Sequence, residues 1–231
     1  MSDHWKSDDE LFMLAEQELF TCVIGDVMDK MGLRHQFLPP DIQPLSREMV
    51  LLGRAMPVIS GDVFDEHLEG TANPLSAKPF GLMLEALDDL KRNEIYVNTG
   101  SSPRHALWGE LMSTRAKKLG ARGALLNGYV RDTNGILRMN FPTFSYGSYG
   151  QDAAFRQKVF DFRIPIEIGS VRINPGDIIF GDIDGVLVIP STHEKEVLRL
   201  ALEKARGEKT VRKDLERGMS ALDSFSKHGI M

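Results

Sequence analysis

The sequence predicts an α/β protein built on a parallel sheet, and three stretches carry that prediction. Ile95-Tyr96-Val97-Asn98 is an apolar, β-branched run ending in Thr99-Gly100, which is the pattern of a strand. From Trp108 to Leu119, the residues Leu111, Met112, Arg115, Ala116 and Leu119 recur at helical spacing, and Gly120 stands where a helix C-terminus takes a left-handed residue. Gly123 to Leu126 is a second short apolar run, closed by a turn at Asn127-Gly128. Strand, helix and strand over this length form a βαβ unit, and such units cross over into a parallel sheet.

The other elements follow in order. Residues 8 to 20 read as an acidic-capped amphipathic helix, and Thr21 caps a second helix from Cys22 to Met31, ended by Gly32. Asp26 and Asp29 on that helix read as solvated. Residues 33 to 49 are a Pro-rich, polar loop, followed by strand-like runs at Val50 to Leu52 and Ala55 to Ile59. Ser60 to Pro79 reads as a long loop with Lys78 and His67 in reach of a ligand, and Phe80 to Leu90 as a helix. Beyond the central unit, Ile136 to Phe144 leads into the loop SYGSYGQD. Short strands then meander through Ile164 to Ile168, Val171 to Ile173, Ile178 to Phe180 and Gly185 to Ile189, with turn residues between them. A long charged helix runs from His193 to about Arg217.

Composition narrows the function. With 231 residues, a net charge of −5 and a pI near 5.7, the chain has no basic patch for nucleic acid. No apolar stretch approaches membrane-spanning length and no signal-peptide core is visible, so a cytoplasmic protein is expected. Cys22 is the single cysteine and reads as a small buried hydrophobe. The GxSxG elbow, the phosphate loop and HExxH are all missing. His105 is the only histidine near the expected site and reads as structural.

In open α/β sheets, ligands bind at the carboxyl ends of the strands. The βαβ geometry brings Gly109-Glu110 and Arg131-Asp132 together at that edge. The amides of Glu110, Leu111 and Met112 would be free at a helix N-terminus and suited to a carboxylate. Arg131 offers a planar fork and Asp132 one hard oxygen ligand. The chemistry alone leaves a plainer reading open, in which Arg131-Asp132 is a weak surface pair and Glu110 serves the helix dipole.

Five segments make the chain recognisable: TCVIGDVMDKMG (21–32), LLGRAMPV (51–58), ALWGELMSTRAKKLGARGALLNGYVRD (106–132), FPTFSYG (141–147) and INPGDIIFGDIDGVLVIP (173–190). The chain resembles the RraA-like family of class II 4-hydroxy-4-methyl-2-oxoglutarate aldolases and RraA regulators of ribonuclease E. The resemblance implies a layered α/β/α sandwich of the swivelling β/β/α type. It implies an N-terminal helical extension over 1–20, the family domain over 21–192, and a C-terminal helix and tail over 193–231 packing on a neighbouring subunit.

For the site, the resemblance implies that Asp132 holds Mg²⁺ or Mn²⁺ largely through waters and that Arg131 contacts the substrate's oxo oxygen. Glu110 would orient metal-bound water or assist proton transfer, and the helix start at Gly109, Leu111 and Met112 would bind the carboxylate of a small 2-oxo acid. Glu208 from a neighbouring subunit of a homotrimer or hexamer would approach the metal. The implied activity is cleavage of a 4-hydroxy-2-oxo acid to pyruvate through a metal-stabilised enolate, with oxaloacetate decarboxylation alongside. The alternative is a non-catalytic, RraA-type regulator. Two positions depart from the aldolase pattern: Gly135 stands where an acidic residue follows Arg-Asp, and Asn127 stands where an Asp-Gly is common.

Overall fold

The computed structural model describes residues 5–64, 75 and 78–230. They fall into two compact units, Met1–Arg34 with Thr192–Met231, and His35–Ser191.

The first unit is helical. It holds α1 (Asp8–Glu18), α2 (Thr21–Lys30), α6 (Glu194–Glu216) and α7 (Ala221–His228). Helix α6 packs against the other three, burying Val197, Leu198, Ala201, Leu202 and Ala205 along one stripe. Leu11, Phe12, Val23, Ile24, Val27 and Met28 are the buried apolar residues of α1 and α2.

Three expectations change here. Thr21 is the first helical residue rather than the cap, because Phe20 is the extended residue at the helix start, and Thr21 is fully buried. Cys22 lies on the exposed side of α2. Asp26 is exposed but not merely solvated, since it pairs with Lys204. Arg206 makes a two-pronged pair with Glu18, both bonds 2.8 Å.

Helix α7 was not foreseen. Ser220 caps it by accepting the Asp223 N–H at 3.1 Å. Lys227 and His228 each reach Asp214 on α6 at 2.8 Å and together hold its carboxyl at about 2. A depressed carboxylate contributes stability above its unfolded value of about 4 and loses it as the pH falls through the folded value. The attachment of α7 is therefore expected to weaken from about pH 4 down to about pH 2. Hydrogen exchange at the amides of α7 would rise over that window, and Asp214→Asn would remove the dependence.

The second unit carries the sheet. Its elements are β1 (Gln43–Pro44), β2 (Leu51–Asp62), α3 (Met83–Asp88), β3 (Glu94–Thr99), β4 (Ala106–Trp108), α4 (Glu110–Leu119), β5 (Gly123–Leu126), β6 (Tyr129–Val130), α5 (Thr133–Met139), β7 (Thr143–Ser145), β8 (Gln157–Phe162), β9 (Ile166–Ile168), β10 (Val171–Ile173), β11 (Ile178–Asp182) and β12 (Gly185–Ile189). The strand order is β1-β7-β5-β3-β2-β11-β12, with β8 also on β2. Strands β2, β3, β5 and β7 run parallel to one another, and β1, β8, β11 and β12 join antiparallel.

One face of this sheet packs on the antiparallel β9–β10 ribbon through Ile166, Ile168, Val171 and Ile173. The other buries Ala86, Leu87, Leu90 and Ala116, from α3, its C-terminal flank and α4, against Tyr96, Ala124 and Leu126. Ribbon, sheet and helices make the β/β/α layering, and the α/β class is the one expected.

Strand β2 is continuous where two runs were expected. Gly53 does not break it; it permits close approach, because a Cβ there would lie 2.7 Å from the Asn93 carbonyl oxygen. Ser60 to Asp62 remain strand rather than loop, because they pair with β8, a strand the sequence did not announce. Lys78 is exposed and pairs with Glu85, and His67 lies outside the described residues. Arg163 ties the strand ends together, holding Glu94 through two bonds of 2.7 and 2.9 Å and also pairing with Asp89.

Candidate active site

The site is assembled by a device smaller than the predicted βαβ crossover. After β3 the chain does not enter the helix directly. It makes an excursion through residues 100–105 and forms the short strand β4, which pairs in parallel with β6. Trp108, expected to open the helix, therefore belongs to a strand, and the helix begins at Glu110. Each strand of the pair feeds a helix: β4 passes through Gly109 into α4, and β6 passes through Arg131 and Asp132 into α5. The Arg131 N–H donates to the Trp108 carbonyl at 2.9 Å, which locks the two exits side by side.

Trp108 anchors the junction. It is 1 % exposed, its indole N–H donates to Ser113 Oγ at 2.6 Å, and its ring lies 4.8 Å from Tyr96 and 6.3 Å from Phe141.

Gly109, Glu110, Leu111, Met112, Arg131 and Asp132 are thus brought together as expected. Asp132 adopts a left-handed backbone, φ 55°, which is uncommon outside glycine. That conformation turns its carboxylate back toward α4, where Oδ2 lies 3.4 Å from the Glu110 amide. A Cβ at Gly109 would come within 2.8 Å of Asp132 Oδ2, so a side chain there would push the Asp132 carboxylate out of this position. The amides of Leu111 and Met112 have no hydrogen-bond partner among the described residues, as the first turn of a helix provides. The Leu111 side chain is 84 % exposed, so only its backbone serves the site.

Arg131 is held on both sides, with Nε 3.6 Å from Asp132 Oδ1 and Nη1 3.0 Å from Asp152 Oδ1. Asp152 is a site residue that the sequence reading missed. The signal was available: β7 runs parallel to β5, so the SYGSYGQD loop must emerge at the same edge.

The Glu110 carboxylate rests on Gly135. A Cβ at 135 would lie 2.1 Å from Glu110 Cδ, and the nearest cation, Arg138, is 3.9 Å away. The missing side chain at 135 is therefore the seat of the Glu110 carboxylate. Asn127 is also accounted for, bonding Thr99 Oγ1 at 2.9 Å and accepting the Tyr146 hydroxyl at 2.6 Å.

Glu208 belongs to the helical unit, on α6, where it pairs with Lys204 at 3.0 Å. Among the described residues no three His, Cys, Asp or Glu side chains form a self-sufficient metal cage. The donor set is instead one exposed carboxylate, Asp132, with Glu110 beside it. That set fits Mg²⁺ or Mn²⁺, hard ions that take one or two carboxylates and complete their shells with water and substrate. No described helix is long and apolar enough to cross a membrane.

The fold and the site thus define an α/β protein in which a helix N-terminus, a guanidinium and a carboxylate meet where β4 and β6 pass into their helices. Residues 21–188 match the RraA-like family, described as Aldolase/RraA, and the chain belongs to that family. It is 29 % identical over 217 residues to a protein of Halalkalibacterium halodurans named "Putative 4-hydroxy-4-methyl-2-oxoglutarate aldolase", covering 93 % of each chain. It is 31 % identical over 186 residues to Protein DlpA of Legionella pneumophila, a match spanning 79 % of this chain and 28 % of that protein. A solved structure titled as novel cellulases from gut-associated microbes superimposes with a TM-score of 0.78 at 33 % identity, covering 89 % of this chain and 88 % of that one.

Proposed function

We propose that the protein is a divalent-metal-dependent lyase that cleaves a 4-hydroxy-2-oxo acid to pyruvate, with oxaloacetate decarboxylation as a second reaction of the same site. The names carried by relatives support an aldolase. The observation that carries the reading is the Asp132 carboxylate 3.4 Å from the Glu110 amide at the start of α4, with Arg131 paired to that carboxylate and the next amides, Leu111 and Met112, without a hydrogen-bond partner among the described residues.

In this reading the substrate's carboxylate sits on the Leu111 and Met112 amides, which fix the 2-oxo group toward Arg131. The Arg131 fork, aimed by Asp132 and Asp152, donates to the oxo oxygen and stabilises the negative charge that gathers there as the C3–C4 bond breaks. Mg²⁺ or Mn²⁺ held by Asp132 would supply Lewis-acid polarisation of that same oxo group. Glu110 takes the proton from the 4-hydroxyl as it becomes a carbonyl, and returns it to C3 of the enolate to release pyruvate. Glu208 of a neighbouring subunit in a homotrimer or hexamer would help hold that ion.

The second reading, a non-catalytic RraA-type binding protein, draws on Gly135 standing where the aldolase pattern is acidic. The packing of Glu110 on Gly135 weakens that argument, because a carboxylate still occupies the position. The test is pyruvate production from oxaloacetate and from 4-hydroxy-4-methyl-2-oxoglutarate with Mn²⁺. We expect turnover that EDTA removes and that Asp132→Ala lowers by about a thousandfold or more. A null across both substrates with metal present would favour the binding protein.

A further inference from the structure

His105 is 1 % exposed, and neither of its ring nitrogens has a hydrogen-bond partner among the described residues. Buried polar atoms are nearly always bonded, so an imidazole orphaned at both nitrogens points to a molecule that completes it. Gln157 stands beside the ring, but its Oε1 already accepts the Ser101 hydroxyl at 3.0 Å. The ring lines a cavity of about 240 Å³ with Asp62, Ser102, Arg104, Gln151 and Arg156. Ser102 Oγ is a further buried atom there without a bond among the described residues. An apolar cavity of about 150 Å³ engineered into another protein holds benzene, so this one has room for an organic molecule rather than a lone water.

The lining shares no residue with the Arg131 site, and its charge is uneven. Asp62 is its one carboxylate, and it accepts the Ser102 N–H at 2.9 Å. Arg104 and Arg156 are exposed, and among the described residues neither pairs with a carboxylate; Arg156 Nη1 donates to a neutral oxygen, the Asp152 carbonyl, at 3.1 Å. Two guanidiniums against one carboxylate leave a single positive charge over, which calls for a monoanion. Burial holds the His105 imidazole below its usual range, so at neutral pH it carries one N–H and one lone pair. A bare anion only accepts hydrogen bonds; it would leave that lone pair empty and set its charge against Asp62. The molecule that satisfies the whole set both accepts and donates. Val63 and Phe64 complete the lining with apolar surface, which suits a short carbon chain.

We propose that this cavity binds a small hydroxylated monocarboxylate, as a ligand separate from the substrate of the Arg131 site. Arg104 and Arg156 hold its carboxylate. Its hydroxyl donates to the acceptors that the arginines leave, the His105 lone pair and Asp62, and its carbon chain lies against Val63 and Phe64. The assignment is independent of the aldolase reading, since it calls on no metal and its lining holds none of the residues given a part in that reaction. It gives His105, expected to be structural, a binding role.

The experiment is calorimetric titration of the full chain without metal, using 2-hydroxypentanoate, 3-hydroxypentanoate and pentanoate. At least one hydroxy acid should bind about tenfold or more tightly than pentanoate, which has the same chain and charge but nothing to donate. The Arg104→Gln/Arg156→Gln double variant, changed only at exposed positions, should weaken that hydroxy acid by about tenfold or more, and Arg131→Ala should leave its affinity within about twofold. Equal affinities for all three acids, or no binding of any, would overturn the proposal.

The two variants also locate the ligand. A hydroxy acid that weakens in Arg131→Ala, or that stays bound in the double variant, sits elsewhere and would overturn the cavity assignment. The His105 ring ¹⁵N resonances should shift on binding in both the unaltered protein and Arg131→Ala, and unmoved resonances would overturn the role given to that ring. Inorganic phosphate and bicarbonate are the controls, since neither carries a carbon chain. Competition by either at the affinity of the hydroxy acid would assign the cavity to an inorganic oxyanion and overturn the organic ligand.

Discussion

Arg131→Lys is expected to lower turnover of oxaloacetate with Mn²⁺ by about a hundredfold or more, on the order of 2.7 kcal/mol of transition-state stabilisation, while leaving the melting temperature unchanged. The geometry explains why a retained positive charge would not suffice. The guanidinium is gripped by carboxylates at two separate nitrogens, Nε toward Asp132 and Nη1 toward Asp152. That leaves the remaining face of the fork aimed by its neighbours. An ammonium is a compact point charge on a flexible stem and cannot hold two carboxylates apart while presenting a planar donor pair to an oxo oxygen. Because Arg131 is partly exposed, losing its pairs costs the fold little. Near-normal turnover in Arg131→Lys, measured beside the unaltered protein, would remove the role assigned to the fork.

Gly135→Ala should separate stability from activity. Gly135 lies inside α5 with an ordinary helical backbone, so alanine there gains up to about 1 kcal/mol of helix propensity. The added methyl, however, falls on the Glu110 carboxylate, 2.1 Å from its Cδ. The carboxylate is the end of a flexible side chain, so it moves and the helix does not. Thermal stability should stay level or rise, and turnover should drop by about tenfold to a hundredfold, the scale of a misplaced acid–base group. A variant with full activity would show that the seat on Gly135 is unimportant to Glu110. The position also answers the departure from the aldolase pattern. A chain that keeps both Glu110 in this pose and an acid at 135 would crowd two carboxylates into one space, and glycine removes that conflict.

Much of this arrangement was legible in the sequence because it rests on local pattern. Gly120 does end α4 in a left-handed residue, φ 83°, and β3 and β5 do pair in parallel. Placing Glu110 near Arg131-Asp132 followed from topology alone. What escaped detection depends on pairings between distant segments. Trp108 reads as the start of the helix because it adjoins the apolar spacing of α4, and only the pairing of β4 with Tyr129-Val130 makes it strand. Strand β8 is visible only through its pairing with β2. Asp152 sits in a loop with no periodicity, and its role depends on where β7 delivers it. The resemblance supplied Glu208, whose carboxylate pairs with Lys204 within the helical unit. Its place beside a metal remains a proposal about neighbouring copies.

A crystal structure grown with Mn²⁺ and oxalate, a stable mimic of the pyruvate enolate, tests the central proposal most directly. The account predicts one oxalate carboxylate on the amides of Leu111 and Met112, the Arg131 fork on an adjacent oxygen, and the ion beside the Asp132 carboxylate, directly or through one water. Oxalate and manganese bound elsewhere, with the amino end of α4 facing only solvent, would contradict it.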